Sequence, residues 1–149
     1  MRCVCVLAAS LFLMSAPAPA AVSKTLVIRL KSVTVSSSGV DKSPKGLSRG
    51  DVIHARFRLL NAAPQFGRKV GVAVGKERST YTFLSATHVT LRGTVTLPGG
   101  TIRYGGHAAV GSSAPVPVVG GTGRFAGARG RLVVGEGNSP LNTYYLTVP

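Results

Sequence analysis

Acidic side chains are nearly missing from this chain: four Asp and Glu stand against 18 Lys and Arg, for a formal charge of +14. Such a surface repels copies of itself and attracts polyanions. No two of the four carboxylates, Asp41, Asp51, Glu77 and Glu136, are placed on one face at short spacing, which argues against a paired-carboxylate glycosidase. Tryptophan is absent, aromatics make up 6% of the residues, and no basic run exceeds Arg68-Lys69. Stacking platforms interleaved with cations are therefore poorly represented, and specific nucleic-acid binding is not expected. His54, His88 and His107 fall on separate predicted strands, so no metal site is expected. There is no G-x-S-x-G elbow, and no cofactor is expected either.

Cysteine is as scarce, and its placement is informative. Cys3 and Cys5 both lie in a leader-like segment in which Arg2 precedes the apolar run Val4 to Met14 and the small-residue site Ala18-Pro19-Ala20. Those are the three parts of a secretory signal peptide. Residues 1–20 are thus read as a signal peptide, the mature chain as starting at Ala21, and the protein as secreted or extracytoplasmic. That mature chain has no cysteine, which excludes both thiol chemistry and a disulfide. Residues 21–149 then form one domain, long enough for a core of its own.

A helical period is also missing, while two-residue alternation recurs nearly everywhere. Leu26, Ile28 and Leu30 form one apolar row, and the Ser/Gly/Lys/Pro stretch from Ser36 to Gly50 predicts a turn. Ile53, Ala55, Phe57 and Leu59 oppose His54, Arg56 and Arg58. Val70, Val72 and Val74 alternate with small residues, and Tyr81 to Thr90 reads as one longer strand. Leu97-Pro98-Gly99-Gly100 predicts a hairpin turn before Thr101 to Tyr104, and Thr143 to Val148 closes the chain. About eight short strands of this kind imply a sandwich or a barrel.

The stretch Val118 to Gly130, VVGGTGRFAGARG, organises the rest. It reads as strand, glycine turn and strand, with Gly120, Gly121 and Gly123 in the turn, Phe125 plugging the core, and Arg129 beside Gly130 bonding carbonyls or a carboxylate. Gly121 to Ala126 also satisfies G-x-G-x-x-A, but a dinucleotide site needs a helix next and an acid about 20 residues on. Gly127 and Gly130 oppose the helix, and Leu141 and Asn142 stand where the acid belongs.

The GGTG-x-F…ARG pattern resembles the signature of the dirigent and allene oxide cyclase superfamily. That resemblance implies an all-β fold: a single antiparallel β-barrel of about eight strands over residues 21–149. It further implies trimeric assembly and the handling of a hydrophobic small molecule by cyclisation or stereoselective coupling. Allene oxide cyclases carry a glutamate and an asparagine on their first strand, and dirigent proteins use pocket aspartates. Here Thr25 to Val35 contains Arg29 and Lys31 but no acid or amide, so no catalytic residue is carried over. On the alternation, Phe57, Tyr81 and Tyr104 point into the barrel as candidate ligand-binding residues, the tyrosines offering a hydroxyl to a substrate oxygen. The competing reading is a non-catalytic basic module on anionic envelope polymers. The state of the lumen, open or filled, separates the two.

Overall fold

A computed structural model describes residues 23–135 and 140–149; the leader segment and Glu136 lie outside them. Eight strands occur: β1 (Lys24–Val40), β2 (Val52–Asn61), β3 (Ala73–Phe83), β4 (His88–Leu97), β5 (Gly100–Ala109), β6 (Val116–Gly123), β7 (Arg129–Val134) and β8 (Leu141–Val148). Each pairs antiparallel with its sequence neighbours, and β1 pairs with β8, so the sheet closes on itself in simple meander order. Closure leaves no unpaired edge, and the alternation then sends one row of side chains inward on every strand. The inward rows supply Leu30, Leu59, Val95, Ile102, Leu132 and Leu146, all essentially without solvent exposure.

One end of this barrel is plugged. Phe125, fully buried, follows β6 and packs with Ala128 into the core cluster, while Arg124 lies over its ring at 5.4 Å. The glycines before it are the end of strand β6, and the turn itself spans residues 124–128. The sequence reading, which put Gly120, Gly121 and Gly123 in the turn, is corrected to that extent. What they supply is close approach: a side chain at Gly121 would collide with the Phe125 and Thr101 carbonyl oxygens. Gly123, at φ 60°, abuts the Gly99 carbonyl of the neighbouring hairpin. Gly123→Val combines left-handed strain with that collision and should cost about 2–4 kcal/mol. The melting temperature should fall by roughly 10 °C; an unchanged melt would show that this contact is dispensable.

Arg129 has a definite task in this region. The β5–β6 register slips between Arg103 and Tyr104, leaving Val119 as a bulge residue. A bulge frees backbone groups from the ladder, and Arg129 Nη1 donates to the Val119 oxygen at 3.0 Å and to the Ala128 oxygen at 3.1 Å.

Three further expectations change. Strand β1 continues to Val40 through a bulge near Val35, well into the predicted turn. Val70 and Val72 are exposed in the loop before β3, whose first inward residue is Val74. Tyr81 to Thr90 is not one strand: residues 84–87 reverse the chain between β3 and β4. That reversal lacks glycine and proline. It is held by Ser85 Oγ, which accepts from the Thr87 and His88 amides at 3.2 and 3.1 Å, a serine turn.

Candidate functional site

The other end of the barrel axis is open. A cavity of about 260 Å³ enters there, and its lining comes from seven of the eight strands or their ends, all but β6. Phe57, Tyr81 and Tyr104, the residues predicted from alternation, all line it, with Leu91 beside them. Phe57 and Tyr81 are half-buried and Tyr104 is buried. The lumen is therefore filled in its lower part and open in its upper part.

Below the opening lies a polar cluster that the alternation reading did not assemble. Glu77 and Ser79 point inward from β3 and are each 4% exposed. Ser79 Oγ donates to Glu77 Oε1 at 2.7 Å and lies 2.7 Å from the Tyr104 hydroxyl, which itself donates to Glu77 Oε1. The second carboxyl oxygen, Oε2, is buried with no partner among the described residues. Burial raises the Glu77 pKa, and the donating Tyr104 and Ser79 hydroxyls pull it part of the way back. A buried carboxyl with its proton retained is a hydrogen-bond donor as well as an acceptor.

The tyrosines respond in the same sense. The Tyr104 hydroxyl is pushed far up by burial, then by the Glu77 charge. Tyr81 is raised by burial and by Glu77, and the Ser79 hydroxyl works against that rise. All three tyrosines that face the cluster thus stay neutral donors across the ordinary pH range. The third, Tyr144, is fully buried at a ring distance of 6.4 Å from Tyr104, and its hydroxyl has no partner among the described residues. An unpaired buried hydroxyl contributes nothing in return for its lost hydration. Tyr144→Phe should therefore leave stability unchanged or raise it by up to about 1 kcal/mol. A clear loss in a denaturant melt would mean that the hydroxyl is satisfied after all.

The cluster is built by one glycine. Gly93 of β4 sits directly opposite Tyr104 of β5 in the register, and a side chain at position 93 would collide with Tyr104 Cζ and its hydroxyl oxygen. Only a residue without Cβ lets the Tyr104 ring lie flat over β4 and reach Glu77. Asn142 and Ser32 extend the polar lining toward the opening, joined by an Nδ2 to Oγ hydrogen bond of 2.9 Å.

Glu77 was within reach of the sequence. It shares parity with Tyr81 and Phe83 along β3, but Val70, Val72 and Val74 suggest the opposite phase. The reason is a bulge: Leu59 pairs with Gly75 while Leu60 pairs with Ala73, so Val74 is an extra residue and the inward row shifts from even to odd numbers. No group of three or more potential metal ligands occurs among the described residues. His54, His88 and His107 are all exposed and lie away from the cluster.

A closed eight-stranded meander, plugged at one end and open at the other over a buried acid and tyrosines, places the protein among the small antiparallel barrels with a partly open axis. The chain belongs to the allene oxide cyclase barrel like domain family, whose sequence model matches residues 31–146. No curated protein sequence matches it significantly. Similar folds occur in a pyocyanin demethylase, 22% identical with a TM-score of 0.67 over 83% of this chain and 100% of the other. A pterocarpan synthase dirigent protein is 18% identical, with a TM-score of 0.59 over 93% and 97% of the two chains. An exo-specific intermolecular Diels-Alderase is 14% identical, with a TM-score of 0.61 over 86% and 100%. At these identities the likeness is one of fold.

Proposed function

We propose that this barrel takes a hydrophobic, oxygen-bearing small molecule into the open half of its lumen and guides its cyclisation or stereoselective coupling without a cofactor. The observation that carries this reading is Glu77: a buried acid on the cavity lining, one oxygen tied to Tyr104 and Ser79 and the other without a partner among the described residues. An unpaired buried carboxyl oxygen is costly unless something fills its place. A substrate carbonyl, enol or epoxide oxygen would complete it.

In that arrangement the neutral Glu77 donates from Oε2 to the substrate oxygen. Tyr104 and Ser79, donating to Oε1, stabilise the carboxylate that forms if the proton is passed on. Phe57, Leu91 and the Tyr81 ring hold the apolar body. Holding the two ends of a flexible molecule close together supplies much of the barrier reduction for ring closure. The dirigent and Diels-Alderase names among the similar folds fit the same type of reaction, and the expected signal peptide would place it outside the cytoplasm.

The test uses a neutral probe, since an anionic dye would be drawn to the basic surface. The ketone fluorophore 6-propionyl-2-dimethylaminonaphthalene should bind at one site with blue-shifted emission. Tyr81→Phe and Tyr104→Phe should weaken it by roughly three- to tenfold with little change in uptake of a pure hydrocarbon. If the wild-type barrel takes up no apolar probe, the lumen reading fails.

A further inference from the structure

The outer wall of the barrel carries a second concavity, of about 660 Å³, whose lining includes Arg78, Arg92, Arg103, Thr94 and His107. Register brings its cations together. Arg78 of β3 and Arg103 of β5 flank Thr94 of β4 in one row, and Arg92 stands in the next row between Thr80 and Gly105. With strands about 4.8 Å apart, these three backbone positions lie within roughly 10 Å of one another.

Two glycines make room for these cations. A side chain at Gly105 would start 3.4 Å from Arg92 Cγ, so the Arg92 stem lies along bare backbone. One at Gly120 would start 3.3 Å from Arg103 Nη2 and 3.7 Å from Arg129 Nη1, so two guanidinium groups converge over that residue. No carboxylate among the described residues meets them. Glu77 is inside the lumen, Asp51 accepts from the Lys42 and Ser48 amides, and Asp41 reaches the Gly46 amide. Converging like charges without a counter-charge cost stability in the free protein and favour a bound anion.

We infer that this groove is a binding site for an extended anionic carbohydrate polymer. Its oxyanions would sit on Arg78, Arg92, Arg103 and Arg129, and its hydroxyls against the threonine rows. Guanidinium forks match sulfate, phosphate and carboxylate groups alike. The groove offers no exposed Phe, Tyr or Trp ring for base stacking, and Val119 is its one exposed apolar side chain, too little to enter a lipid surface. This site is independent of the lumen reading.

Titrations of the full-length protein with dextran sulfate, neutral dextran, inorganic sulfate, duplex DNA and anionic phosphatidylglycerol vesicles test it. Dextran sulfate should bind with an affinity that falls as salt rises, and neutral dextran should not bind. Arg78→Gln/Arg92→Gln/Arg103→Gln should lower the dextran sulfate affinity at least about tenfold. Lys24→Gln/Lys31→Gln/Arg49→Gln, which removes the same charge elsewhere, should leave it nearly unchanged. Retained uptake of the neutral ketone probe by the arginine variant would show that the barrel is intact. Equal losses in the two triple variants would overturn the proposal, because attraction would then be diffuse. So would tighter binding of duplex DNA or of vesicles, or inorganic sulfate binding as tightly as the polymer.

Discussion

Gly93→Ala is expected to dismantle the lumen site and to destabilise the fold, although it adds a single methyl group. The new Cβ would collide with the hydroxyl end of Tyr104, at Cζ and the oxygen, and that ring is walled in by Tyr144 and the core, at 3% exposure. Tyr104 must turn away, and Glu77 then loses its principal donor while remaining buried. Overpacking and the loss of a buried hydrogen bond to a carboxyl each cost about 1–3 kcal/mol, so a total near 4 kcal/mol is expected. The ketone probe should bind at least about tenfold more weakly. Because one contact carries the effect, Tyr104→Leu should rescue it: the double variant should be more stable than Gly93→Ala alone, a coupling of opposite sign to simple additivity. Equal destabilisation with and without Tyr104 would place the cost elsewhere in β4.

Glu77 governs the second large effect, which is a dependence on pH. Its folded-state pKa lies above the ordinary value of 4.5, so the folded chain holds this proton more tightly than the unfolded chain. The stability derived from that proton is complete below the ordinary value and is lost as pH rises through the folded-state pKa. Each unit of separation corresponds to about 1.4 kcal/mol. Glu77→Gln has no such proton. Relative to the wild type it should be least stable in acid and should gain steadily toward neutral pH. Binding separates the roles of size and donor. The Gln amide can accept from Tyr104 and present an N–H at the Oε2 position, so the ketone probe should bind Glu77→Gln nearly as well as wild type. Glu77→Leu, with no donor, should lose about tenfold or more. Parallel melting curves for wild type and Glu77→Gln across this range would show that the acid is not held in its neutral form.

The barrel was legible in the sequence because its signals are local. Period-two alternation, hairpin turns and the GGTG…ARG stretch are all encoded within a few residues. Phe57, Tyr81 and Tyr104 could be placed in the lumen for the same reason: each shares parity with a near apolar neighbour, Phe57 with Ala55 and Leu59, Tyr81 with Phe83, and Tyr104 with Ile102. Glu77 and Ser79 could not be placed so directly, since the bulge at Val74 reverses the phase of β3 and its one local mark is the adjacent Gly75. The reversal at residues 84–87 was hidden because a serine hydroxyl does the work of a turn residue. Gly93 had no local signature at all. Its meaning arises across strands, from the ring of a residue eleven positions later in the chain lying where its side chain would be.

Glutamate labelling tests the central claim most directly, because the chain has only two glutamates, Glu77 and Glu136. In protein carrying carbon-13 at the glutamate carboxyl, the spectrum contains two carboxyl resonances, and the one missing from Glu77→Gln belongs to Glu77. The account predicts that this resonance titrates above the ordinary glutamate value, and that addition of the ketone fluorophore shifts it. A Glu77 resonance that titrates at or below the ordinary value, and stays unmoved by a probe that demonstrably binds, would contradict it.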